Sequence, residues 1–122
     1  MTGIQPFRGM VVLQDRAHEV VSPAYDSLSV AERQRFRADH PHSYLHVTRS
    51  AEDEPDAATV NNSTLVSRGR SALEGILGAS MFASHGSPAF YVYRLVDGAH
   101  TQCGLVCEVP SEYYHSVAKP HE

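Results

Sequence analysis

The feature that most constrains this chain is two apolar segments flanking a tight turn. Phe90 to Val96 reads as a strand rich in β-branched and aromatic residues, and Thr101 to Val109 reads as its return. Asp97-Gly98 marks the reversal, because glycine readily takes the positive φ that a two-residue hairpin needs. The segments are therefore expected to pair antiparallel. Alternation of Cys103, Leu105, Cys107 and Val109 puts both cysteines on one face, about 13 Å apart at about 3.3 Å per residue. That is too far for a mutual disulfide, so two reduced, buried core thiols are expected.

Upstream, Phe7 to Leu13 reads as a first strand opened by Pro6. Ser22-Pro23-Ala24-Tyr25-Asp26-Ser27 is a turn by composition. Ser29-Val30-Ala31-Glu32 matches a capping box, which predicts a short helix from about Val30 to Ala38. His40-Pro41 ends it, since the residue before proline is pushed out of the helical region. Ser43 to Thr48 then alternates like a strand, with Leu45 and Val47 on one face. The four acidic residues within Ser50 to Asp56 suggest a solvated loop. A second helix is expected over about Ala57 to Leu77, weakened by Asn61, Asn62 and Gly69, with Gly78, Gly86 and Pro88 breaking the chain after it. The tail Pro110 to Glu122 has no clear period. The fold class is thus α+β, with about four strands including a C-terminal antiparallel hairpin and two helices, in one domain spanning residues 1–122.

Composition narrows the function classes. With 122 residues, 42% hydrophobic and 20% charged, the chain has ordinary globular character. A net charge of −4 with scattered Lys and Arg offers no basic stripe, so nucleic acid is not an expected partner. The amino terminus lacks an export pattern and no apolar run approaches the ~20 residues of a membrane-spanning helix, so a cytoplasmic location without membrane contact is expected. His40, His42 and His46 invite a metal reading. Placed on a strand, however, His42 and His46 stand about 13 Å apart and cannot share an ion, so no metal and no cofactor is expected.

Five ordered segments carry a family resemblance: Pro6-Phe7-Arg8-Gly9, Ser22-Pro23-Ala24-Tyr25-Asp26, Asp39-His40-Pro41-His42-Ser43-Tyr44-Leu45-His46-Val47, Ala89-Phe90-Tyr91-Val92-Tyr93-Arg94 with Gly104-Leu105, and Lys119-Pro120-His121-Glu122. Together they resemble the amino-terminal pattern of the bacterial and archaeal family called domain of unknown function 1015. Pro23-Ala24 departs from the two prolines usual there. The resemblance implies a longer protein, commonly about three times this length, whose later Asp-Gly-His-His-Arg segment is similar to the nucleotide-handling loop of ParB-related proteins and free-serine kinases. No such string occurs in this chain.

The candidate ligand-binding residues are Arg8, with its fork geometry, Tyr25 and Asp26 at the turn, and His121 and Glu122, which resemble the start of the family's charged motif. A structural ion pair for Arg8 and a capping role for Asp26 are the competing readings. No catalytic residue stands out. The expected role is a non-catalytic scaffold or interaction module, engaging a protein partner or a C-terminal segment. The alternative is part of an enzyme for a nucleotide or small phosphorylated metabolite. The sequence leaves the oligomeric state open.

Overall fold

A computed structural model describes residues 3–117. Four strands, β1 (Met10–Val12), β2 (Phe82–Ser84), β3 (Tyr91–Asp97) and β4 (His100–Val106), form two two-stranded sheets, β1 with β2 and β3 with β4. Two helices of several turns, α2 (Val30–Asp39) and α3 (Asn62–Gly78), accompany two of four residues, α1 (Ala17–Val20) and α4 (Tyr114–Val117). The architecture is α+β, as the sequence predicts. The chain divides into two compact units, one of Met1–Met10 with Ser84–Glu122 and one of Val11–Ala83.

In the first unit the hairpin forms with Tyr91 opposite Val106 and Asp97 opposite His100. Gly98 takes φ +57°, and among the described residues no other glycine has a positive φ, so the conformational freedom of this one is what the turn uses. Phe7 does not extend a long first strand. It bridges Ala89, Gln5 bridges Glu108, and ladder pairing with β2 begins only at Met10. The expected strand over Phe7 to Leu13 is therefore divided among successive partners. Gly9 donates its amide to the Tyr91 hydroxyl at 2.8 Å, and a methyl at Gly9 would lie 2.6 Å from the Tyr91 ring. The Pro6-Phe7-Arg8-Gly9 segment thus meets Tyr91, with the Phe7 ring 5.0 Å from it.

The expected burial of the cysteines does not hold. Both are free thiols, but Cys103 is exposed and Cys107 half-buried. A two-stranded ribbon has no third strand to extend its cover, and the face that holds Cys103 and Leu105 is open.

In the second unit Val20, Ile76 and Met81 are buried together, with Val12, Val47, Ala79 and Phe82 packed on them. Helix α2 starts as its capping box dictates, Ser29 Oγ accepting from the Glu32 amide while Glu32 accepts from the Ser29 amide. Ser43 to Thr48 is not a strand. Tyr44–His46 form a 3-10 turn, with Ser43 Oγ accepting from the Leu45 amide. Alternation over so few residues does not distinguish the two geometries, and the local serine bond selects the turn. Helix α3 begins at Asn62 rather than near Ala57, because Asn61 caps it by accepting from the Thr64 amide at 2.9 Å. Gly69 faces the loop backbone so closely that a methyl there would fall 2.6 Å from the Val47 carbonyl oxygen. After α3 ends at Gly78, the positive φ falls on Ser80 at 59°.

Candidate functional site

The acidic stretch after residue 50 is not a solvated loop. Asp53 and Glu54 are buried, and four arginines converge on the segment. Asp53 accepts from Arg33 Nε at 2.9 Å, from Arg37 Nη2 at 3.1 Å and from the Tyr25 hydroxyl at 2.6 Å. Arg33 is itself buried. It gives further hydrogen bonds to the Leu28 carbonyl at 2.6 Å and to Glu52, and its guanidinium lies 4.2 Å from the Tyr25 ring centroid. Since Tyr25 donates to Asp53, its oxygen accepts from Ser50 Oγ. A second cluster joins Arg49 and Arg68 to Glu54, with Arg68 also on Asp56.

The electrostatics of this node are those of a clamp. Burial and the Asp53 bond push the Tyr25 phenol above its usual range, so it remains a protonated donor at neutral pH. Burial alone would raise Asp53, but donation from Tyr25, Arg33 and Arg37 outweighs it and holds the carboxyl below its ordinary value. Among the described residues no buried side-chain polar atom lacks a partner. Tyr25 therefore has a structural anchor, while Asp26 is exposed and the following helix α2 is capped by Ser29. Arg8 is exposed on the other unit and forms no ion pair with a described residue. His121 and Glu122 lie outside the described residues.

The Arg-acid node escapes sequence reasoning because its parts look unremarkable apart. The available signal is Arg33 and Arg37, four residues apart on a helix poor in apolar residues, followed by an acid-rich segment. Helix α2 buries an arginine face instead of an apolar stripe.

Three surface cavities adjoin this framework in the second unit. One of about 370 Å³ is lined by His18, Glu19, Asp39, His40, Pro41 and His42. His42 and His46 share another of about 270 Å³, so the separation expected from a strand does not apply. Even so, no group of three or more His, Cys, Asp or Glu among the described residues is placed to hold a metal ion. His46 Nε2 faces the Arg37 and His40 carbonyls, each at 3.1 Å, which makes it the donor nitrogen. The largest of these three, about 570 Å³, runs along α3 between Leu65, Val66, Gly69 and Leu73 on the helix and Val47 and Arg49 opposite.

These observations describe an α+β protein whose charged interior is internally paired and which exposes large apolar side chains along its hairpin. The family described as "Protein of unknown function (DUF1015)" matches residues 4–122, and the chain belongs to that family. No curated protein and no solved structure matches it. Among the described residues no helix is long and apolar enough to cross a membrane.

Proposed function

We propose that this chain is a protein-interaction module that acts by binding another polypeptide and performs no catalysis of its own. The observation that carries the reading is the β3–β4 hairpin. Phe90, Val92, Val96 and Leu105 share one face and Tyr93 and Leu95 the other, and all six are exposed, Val92 at 74%. Apolar residues on both faces are the pattern of strands covered from both sides. An isolated two-stranded ribbon in water is marginal, so a covering partner supplies what the ribbon lacks.

The chemistry of the edge agrees. Between His100 and Val106, β4 has no Lys, Arg, Asp, Glu or Pro, the residues with which natural edges discourage added strands. The partner is an extended polypeptide segment that pairs with β4 and lays apolar side chains over Val92, Val96 and Leu105. The test is photo-crosslinking in cells of the source organism, with a benzophenone residue in place of Val92 and, as a control, in place of exposed Gln34 on α2. A discrete polypeptide adduct from position 92, lost when Val96 and Leu105 are changed to Lys, is expected. Equal adducts from both positions, or none from position 92, would overturn the reading.

A further inference from the structure

We infer that the groove along α3 is a second binding site, one that takes an acidic amphipathic peptide helix. It lies wholly within the unit of Val11–Ala83 and stands independently of the hairpin reading. Helix α3 has two apolar sides. Ile76 faces the core, while Leu65, Val66, Gly69 and Leu73 recur at three- and four-residue intervals along the groove. Val66 is 71% exposed, although a valine on a one-sided surface helix belongs on the covered side.

The length of the groove fits a helix. From Asn62 to Leu73 the wall rises about 17 Å at ~1.5 Å per residue, close to three turns of an incoming helix. Gly69 makes the floor, since the absence of its side chain lets the Val47 carbonyl pack directly against α3 there. This explains a glycine in mid-helix, where it otherwise weakens the element.

Charge selects the occupant. The residues lining the groove include two cations, Arg49 and Arg70, and no carboxylate, in a chain of net charge −4. Arg49 gives Nε to the His46 carbonyl and Nη1 to Glu54, and Arg70 gives only Nε to the exposed Glu74. The Nη2 group of Arg49 and both Nη groups of Arg70 remain uncommitted among the described residues. Glu54 and Glu74 hold the two side chains while the remaining guanidinium donors suit carboxylates on the incoming segment. The occupant thus presents Leu-, Ile- or Phe-type side chains at helical spacing, flanked by Asp or Glu.

The experiment is selection of a phage-displayed library of random 16-residue peptides on the intact chain, followed by affinity measurement on the wild type, Arg70→Gln and Val66→Glu. Both positions are exposed, and circular dichroism checks that each variant keeps its fold. Selected peptides are expected to combine apolar residues at three- and four-residue spacing with acidic ones. Their Kd should rise about tenfold on Arg70→Gln, as expected for loss of a charge-assisted contact, and their binding should vanish on Val66→Glu. Recovery of no binder, of binders without acidic enrichment, or of binders indifferent to both substitutions would overturn the inference.

Discussion

Replacing Asp53 by Ala tests whether the Arg-acid node holds the second unit together. The substitution removes the acceptor of three hydrogen bonds, from Tyr25, Arg33 and Arg37. Breaking a buried pair by removing one partner costs about 3–5 kcal/mol, mostly through the charge left behind. Here Arg33 keeps the Leu28 carbonyl and Glu52, so the lower end, about 3 kcal/mol, is expected. A chain of this length has a total stability of about 6–18 kcal/mol, so the loss is a large fraction of it. Urea unfolding followed by circular dichroism should show the midpoint falling by about 1 M or more. The pH dependence follows from the same site. Because Asp53 is depressed in the folded state, its stabilisation is complete above the unfolded value of about 3.9 and is lost as pH falls through the folded value. The wild type should therefore weaken below about pH 4, and the part of that slope due to Asp53 should be absent from the variant. A loss under about 1 kcal/mol, with an unchanged acid slope, would refute the clamp.

Gly69→Ala should destabilise by about 1–2 kcal/mol in thermal unfolding, because the crowding against the Val47 backbone exceeds the ~1 kcal/mol gained in helix propensity. A more stable variant would show that the close approach is absent. Ellman's reagent should label Cys103 before Cys107 in the folded protein, as their exposures dictate, and mapping of the first adduct by mass spectrometry reads the order directly.

The sequence alone determined the elements whose signals are local. The hairpin follows from Asp97-Gly98 between two β-rich runs, and the start of α2 follows from the reciprocal bonds of Ser29 and Glu32. Membership of the family was legible in the order of its short segments. Local pattern misled where one residue made a bond that composition does not show, as when Ser43 turned an alternating segment into a 3-10 turn and Asn61 delayed α3.

Only tertiary structure decided which polar residues are structural and which surfaces are open. Asp53 and Glu54 read as solvated because charge predicts exposure, yet arginines brought from α2, α3 and Arg49 make their burial favourable. Cys103 reads as buried because alternation predicts an inward face, yet a face is inward only if another layer covers it. Tyr25 was singled out from its turn, but its role depended on Asp53 and Ser50, which lie 28 and 25 residues away. Periodicity reports the side of an element on which a residue lies. Long-range packing determines what, if anything, stands opposite it.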